Sequence, residues 1–132
     1  MSRVVVSTGA GPFEVDLDEE AAEPWTSAVP EASPAPALNL PRVVAAAATG
    51  STVVAVVDAK PPMLVSHDAG ATWRESGRGL PPGQAVALSD ADPDTIVYAA
   101  RNRLYVSRNG GVFWAALAVE LPMIVGLAFS EG

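Results

Sequence analysis

The chain has 132 residues and a formal net charge of −7, from 15 acidic and 8 basic side chains, with no cysteine and one histidine. Because 49% of its residues are hydrophobic, it is too apolar for an intrinsically disordered chain, and its length suits one domain. The lack of cysteine excludes disulfides and thiolate metal or redox sites, and a single histidine argues against a histidine-rich metal site.

The net charge and the length of the apolar runs also limit the classes of partner that the chain can bind. A net negative chain is disfavoured for nucleic-acid binding, which depends on clustered Lys and Arg. No apolar run approaches the roughly 20 residues of a membrane span, and the N-terminus lacks the apolar stretch of a secretory signal. We therefore expect a soluble, cytoplasmic protein that uses no cofactor or metal and binds neither nucleic acid nor membrane.

Short β-branched runs separated by turn residues predict strands along the whole chain. The 12 prolines and 11 glycines are spread over its length and leave little room for long helices. Val43–Ala48 is rich in alanine, but it is too short for an isolated helix and lies between Pro41 and Gly50, so we interpret it as a strand. In chain order the predicted strands are Arg3–Ser7, Phe13–Asp16, Val43–Ala48, Thr52–Val57, Met63–Ser66, Ala85–Leu88, Thr95–Ala99, Leu104–Ser107 and Ile124–Phe129.

Three tryptophans indicate an internal repeat. Trp25, Trp73 and Trp114 lie 48 and 41 residues apart, and each follows two predicted strands and precedes a loop with proline and another apolar run. A unit of four strands in about 44 residues has the size and content of a β-propeller blade. We interpret the proline-rich segment 28–41 as a loop between blades, which explains the longer first spacing. The predicted fold is all-β: residues 1–132 form one three-blade half-propeller, each blade having four antiparallel strands.

A motif surrounds the second and third tryptophans. Ser66–Trp73 fits the pattern Ser-x-Asp-x-Gly-x-Thr-Trp. A short carboxylate in such a turn accepts backbone N–H groups, and the glycine permits positive φ. Ser107–Trp114 keeps Ser, Gly and Trp but has Asn109 and Phe113 where the pattern has Asp and Thr. Asp16–Trp25 keeps an acid and the tryptophan but lacks the glycine.

These copies resemble the Asp-box, or BNR repeat, of the β-propellers found in sialidases, certain xyloglucanases, sortilin-type receptors and photosystem assembly factors. The resemblance implies that the hairpin lies at the blade periphery, away from the substrate face, and has a structural role. The residues to which it assigns that role are Ser66, Asp68, Gly70, Thr72, Trp73, Ser107, Asn109, Gly111 and Trp114.

Charged loops away from these turns form the candidate binding surface. In propellers the ligand face is built by the loop between the second and third strands of a blade and by the loop that enters the next blade. The candidate ligand-binding residues in these loops are Asp58, Lys60, Arg78, Arg101, Asn102 and Arg103. The alternative is that they are solvated loop charges. The expected ligand is a carbohydrate or a protein.

Catalysis has weaker support in the sequence. Sialidases need an arginine triad, a tyrosine nucleophile and an acid, yet both Tyr98 and Tyr105 lie among apolar neighbours in predicted strands. Other glycosidases need two facing carboxylates, for which only Asp58, Glu75 and Glu120 lie outside the turns given a structural role. We therefore assign no catalytic residue and predict a binding or assembly module that acts as an oligomeric scaffold or ligand-binding ring. The alternative is a sialidase-like or xyloglucanase-like glycoside hydrolase with its site on the central channel face.

Three blades leave a propeller ring open. Joining the end of one copy to the start of another parallels the segment Leu88–Ile96, and the tryptophan spacing across that junction would be 43 residues. We therefore expect a homodimeric six-bladed ring with strand Ile124–Phe129 exchanged between copies. A different half-propeller as partner, or one segment of a split gene, is the alternative.

Overall fold

The structure is a computed structural model that describes residues 3–30, 38 and 40–130. These residues form strands separated by turns, and no helix among them is long and apolar enough to cross a membrane. The strands are β1 (Arg3–Thr8), β2 (Gly11–Asp16), β3 (Ala21–Pro24), β4 (Val43–Thr49), β5 (Thr52–Val57), β6 (Met63–Ser66), β7 (Arg74–Ser76), β8 (Ala85–Leu88), β9 (Ile96–Ala100), β10 (Arg103–Ser107), β11 (Ala115–Glu120) and β12 (Ile124–Phe129).

The strands make three four-stranded antiparallel sheets, which we call blades. Blade 1 has the order β12-β1-β2-β3, blade 2 the order β4-β5-β6-β7 and blade 3 the order β8-β9-β10-β11. Each blade is a meander from an inner strand (β12, β4 or β8) to an outer strand (β3, β7 or β11). The predicted fold class is confirmed: the chain is an all-β, partial β-propeller of three blades.

Blade 3 lies between the other two. Its inner strand β8 contacts β4 and β5 of blade 2 on one side and β12 of blade 1 on the other. In the described part of the chain no comparable contact joins the strands of blade 1 to those of blade 2. The blades therefore form an open row in the order 2, 3, 1, with one core on each side of blade 3.

Strand alternation divides the residues of blade 3 between the two cores. Successive side chains of a strand point to opposite faces, so Ile96 and Tyr98 enter one core while Val97 and Ala99 enter the other. The core between blades 2 and 3 contains Val54, Val56, Met63, Val65, Val86, Leu88, Ile96, Tyr98 and Ala100. The core between blades 3 and 1 contains Val4, Val6, Val15, Leu17, Ala85, Ala87, Val97, Ala99, Leu104, Val106, Leu117, Leu121, Ile124 and Leu127.

Blades 2 and 3 face the same direction. The motif serines Ser66 and Ser107 pair with the residues immediately before Val54 and Val97, respectively, which makes those two valines equivalent. Val54 packs toward blade 3, and Val97 packs toward blade 1. The blades are therefore stacked head to tail, as in a propeller.

The chain's own C-terminal strand closes blade 1. Val4 pairs with Phe129 and Val6 with Leu127 along the antiparallel ladder between β1 and β12. The predicted exchange of this strand with a second copy is therefore wrong for this structure. Because β12 follows blade 3, which already packs on blade 1, it reaches β1 without leaving its own chain.

The three tryptophans do not all occupy the same place in their blades. Trp73 and Trp114 directly precede the outer strands β7 and β11, whereas Trp25 directly follows β3, and its backbone N–H donates to the carbonyl of Pro12 at 3.0 Å. Residues 31–37 and 39 of the predicted loop 28–41 lie outside the described residues, and the described remainder of that loop contains no strand.

The sequence does not predict the three outer strands. The burial of β3, β7 and β11 is mixed, and most of their residues are exposed. Each of these strands pairs with a neighbour along only one edge. A strand that is mostly exposed lacks the alternation of apolar and polar residues by which a strand is recognised in a sequence. These three strands form because they pair with β2, β6 and β10.

Replacing Gly83 by alanine is expected to destabilise the fold by about 1–3 kcal/mol, because the new Cβ would overlap the ring of the fully buried Tyr98. Gly9→Ala is the matched control, since a Cβ there meets nothing within 4 Å. Urea denaturation of both variants measures the difference. Equal stability of the two would contradict the placement of the Tyr98 ring.

Candidate functional site

The loops that connect the strands of blades 2 and 3 lie at two opposite ends of the sheets, which we call edges. The turns Ser66–Trp73 and Ser107–Trp114, which we call the motif turns, join β6 to β7 and β10 to β11 on one edge. The hairpins that join β5 to β6 and β9 to β10 lie on the opposite edge because adjacent strands are antiparallel. We call it the hairpin edge.

The carboxylate of Asp68 holds the first motif turn. Its Oδ1 accepts the Ser66 hydroxyl at 2.7 Å and the Thr72 backbone N–H at 2.9 Å, and its Oδ2 accepts the Thr72 hydroxyl at 2.6 Å. The hydrogen bonds from Thr72, followed by that from Ser66, lower the pKa of Asp68 to about 2. Gly70 has φ of 91°, which favours glycine. These groups are fully engaged within the turn.

The second motif turn repeats this arrangement with an amide. Asn109 Oδ1 accepts the Ser107 hydroxyl at 3.0 Å and the Phe113 backbone N–H at 3.0 Å. Gly111 has φ of 90° and donates its N–H to the Ser107 hydroxyl at 2.9 Å. Phe113 cannot supply the hydroxyl that Thr72 gives in blade 2, and its side chain is 69% exposed.

Blade 1 has a simpler turn at the equivalent end of β2. Asp16 Oδ1 accepts the backbone N–H groups of Asp18 and Glu19 at 2.9 and 3.1 Å. The hydrogen bonds from Glu19 and then Asp18 lower the pKa of the Asp16 carboxyl. This is an Asx-type turn that carries neither a glycine nor a tryptophan at its end.

The Trp114 ring packs between two blades. It lies against the core between blades 2 and 3, and its centroid is 6.1 Å from that of Tyr98 in an edge-on arrangement. Its indole N–H donates to the Ser76 hydroxyl of blade 2 at 2.9 Å, and that hydroxyl donates to the Gly111 carbonyl at 2.6 Å. Ser76 therefore links blade 2 to the motif turn of blade 3. Sequence reasoning missed it because an isolated serine carries no recognisable signal.

The Trp73 ring lacks an equivalent neighbour in the described structure. It is half-buried and belongs to neither core. In the head-to-tail stack, Trp114 of blade 3 packs against blade 2. Trp73 of blade 2 would pack in the same way against a blade that preceded blade 2. Among the described residues, no other blade lies on that side of blade 2.

The candidate ligand residues lie on or beside the hairpin edge without forming one cluster. Asp58 and Lys60 are exposed in the β5–β6 hairpin, and Arg101 and Asn102 form the tip of the β9–β10 hairpin. The two hairpins belong to different blades. Asp58 donates its backbone N–H to the carbonyl of Arg42 at 2.9 Å, so its backbone already serves the fold.

The two remaining candidates form ion pairs. Arg103 Nη2 lies 2.6 Å from Glu120 Oε1, and Arg78 Nη2 lies 3.6 Å from Glu75 Oε1. These pairs occupy two of the three carboxylates considered for hydrolysis. Arg78 lies after β7, and it lines one groove together with Pro61 of the β5–β6 hairpin and Gly110 of the motif turn of blade 3.

The side chain of Gln84 connects blade 3 to blade 1 at the hairpin edge. Its Nε2 donates to the carbonyls of Arg101 and Ile124, each at 2.9 Å, and its Oε1 accepts the Arg101 backbone N–H at 2.9 Å. Ile124 is the first residue of β12. The single glutamine amide therefore ties the β9–β10 hairpin to the inner strand of the next blade.

A groove of about 280 Å³ runs between β7 of blade 2 and the motif turn of blade 3. We call it the rim groove. Its lining residues are Pro61, Val65, Arg74, Glu75, Ser76, Gly77, Arg78, Gly110, Gly111 and Val112.

Tyr98, one of the two tyrosines considered for hydrolysis, is engaged in the fold. The Tyr98 hydroxyl donates to the carbonyl of Pro81 at 2.6 Å, and burial, with a smaller effect of Tyr105, raises the pKa of Tyr98 to about 12. A neutral, buried phenol is a packing group. Among the residues that the structure describes, no three histidine or carboxylate side chains are grouped as a metal site requires.

Comparison with solved structures finds chains of similar fold. The chain is similar to the crystal structure of the GH74 enzyme of Niastella koreensis, with 23% sequence identity, a TM-score of 0.48 and 91% of this chain covered. The match covers 18% of that enzyme, so the chain spans less than a fifth of its length. No family model matches the chain, and no curated protein matches it.

Asp68→Asn is expected to lower stability at neutral pH, because an amide cannot provide the second acceptor oxygen that the Thr72 hydroxyl uses. The pKa of Asp68 falls from 3.8 to about 2 on folding, so its contribution is present above pH 3.8 and is lost as pH falls through about 2. Thermal unfolding of the native protein and the variant between pH 2 and pH 6 tests this. The two curves should converge at the acid end, and a constant difference across the range would contradict the assignment.

Proposed function

We propose that this chain is a non-catalytic propeller module for binding or assembly, and that it completes its ring by associating with a second copy of itself. One observation carries the proposal. The head-to-tail blade junction occurs twice within the chain, and the positions that would make it a third time are exposed and apolar.

The junction between blades 3 and 1 defines those positions. Gln84, which contacts Ile124 across that junction, comes directly before the first paired residue of β8. Val44 of β4 and Val125 of β12 occupy the same place in their own blades, since each is the extra residue at a bulge near the start of the inner strand.

These valines are exposed in a single chain. Val125 is 66% and Val44 is 52% exposed, and their neighbours Met123 and Val43 are 57% and 37% exposed. In the junction between blades 3 and 1, Gln84 contacts Ile124. If a second copy packs on the free side of blade 1 in the same way, Val125 takes the place of Gln84 and contacts Val43 of the second copy. Burying such apolar side chains favours association by roughly 25 cal/mol per Å² removed from water.

The charges of the two end blades favour the same contact. Residues 3–24 of blade 1 contain six acidic side chains and one basic side chain. Residues 42–78, which include blade 2, contain four basic and three acidic side chains. Complementary charge steers two copies toward the head-to-tail encounter and disfavours contact between two acidic ends.

In the resulting six-bladed ring each chain contributes three complete blades. The inner strands surround a channel, and Asp58, Lys60, Arg101 and Asn102 lie on its hairpin edge. This is the surface on which we place a carbohydrate or protein ligand. Because the twofold axis coincides with the ring axis, the channel would present each of these side chains twice.

A cysteine pair tests the ring directly, since the native chain contains no cysteine. Val43→Cys combined with Val125→Cys should form a disulfide-linked dimer on mild oxidation, visible on a non-reducing gel. Val43→Cys combined with Val112→Cys is the control, because Val112 is equally exposed but lies in a motif turn. A monodisperse 13.5 kDa species by light scattering, with no cross-link in the first variant, would overturn the ring.

The absence of catalysis is tested with a panel of fluorogenic glycosides, on which we expect no turnover above background. Asp58→Asn and Glu75→Gln serve as the paired variants. Turnover by the native chain that either variant abolishes would replace the binding role with that of a glycoside hydrolase.

A further inference from the structure

We propose that the rim groove is a second binding site, which takes an extended acidic peptide carrying apolar side chains. The groove lies between two blades of a single chain. It therefore does not depend on ring assembly, and the two proposals can fail separately.

Two arginines give the groove its charge. Arg74 and Arg78 both line it, in a chain whose net charge is −7. Arg74 forms no ion pair with any described residue, and Arg78 approaches only Glu75, at 3.6 Å, with both side chains more than 60% exposed. Exposed pairs of this kind contribute little to stability. Carboxylates of a ligand can therefore engage both guanidinium groups at small cost to the fold.

The backbone of β7 explains why a peptide suits the groove. β7 pairs with β6 along one edge, and it is the last strand of its blade, so its other edge offers backbone donors and acceptors. An extended peptide adds to such an edge through main-chain hydrogen bonds. The outer strand of blade 1 is less suited because it ends in Pro24 and contains the acidic Glu23.

An exposed apolar pair begins at the groove. Val112 lines it and is 68% exposed, and the next residue, Phe113, which is not among the lining residues, is 69% exposed. The motif turn uses only the backbone N–H of Phe113, whereas Thr72 at the same place in blade 2 also contributes its hydroxyl. The phenyl ring thus adds nothing to the hydrogen bonding of the turn, and a bound peptide that extends beyond Val112 would meet it as an apolar contact.

Fluorescence anisotropy with a labelled peptide of alternating Glu and Leu tests the site, with a Lys–Leu peptide of the same length as the charge control. We expect saturable binding of the Glu–Leu peptide alone, and at least a tenfold loss of affinity in Arg74→Glu. Arg42→Glu is the matched control, because Arg42 is an exposed arginine that does not line the groove, and it should retain the native affinity.

Phe113→Thr separates binding from folding, because it restores the residue that the motif has in blade 2. This variant should bind the peptide at least tenfold more weakly while its melting temperature stays equal or rises. Equal binding of both peptides, or native affinity in both Arg74→Glu and Phe113→Thr, would overturn the proposal. So would saturable binding of an acidic oligosaccharide, such as an oligogalacturonate, in the absence of any peptide binding.

Discussion

The ladder between β12 and β1 joins the two ends of the chain, and the arrangement of the three blades depends on it. Without β12, blade 1 would lose its inner strand, and Ile124 and Leu127 would leave the core shared with blade 3. Val97 and Ala99 of blade 3 would then face water. The paired residues are between 116 positions apart, for Thr8 and Ile124, and 125 positions apart, for Val4 and Phe129, so the chain must bring its ends together before this core can form.

The same structural position carries different chemistry in different blades. At the start of the inner strand, blade 3 has Gln84, whose amide makes three hydrogen bonds, one of them to Ile124 across a junction inside the chain, whereas blades 1 and 2 have exposed valines. A polar link suits a junction whose partners are always present. Exposed valines suit the junction that we propose between two copies, since their burial would supply its driving force. The motif turns show a similar difference between Thr72 and Phe113.

The sequence by itself determined the all-β class, nine strands, the two motif turns and their bonded side chains, because those depend on local alternation and on hydrogen bonds spanning a few residues. It could not determine the outer strands, whose form depends on a partner edge, or the place of Trp25, whose spacing imitates the repeat. Only the tertiary structure decided that β12 closes its own chain, that Ser76 and Gln84 link blades, and that Arg74, Arg78 and Val112 meet at one groove. Each of these contacts joins distant segments, and the spacing of residues along a chain carries no record of which distant segments come together.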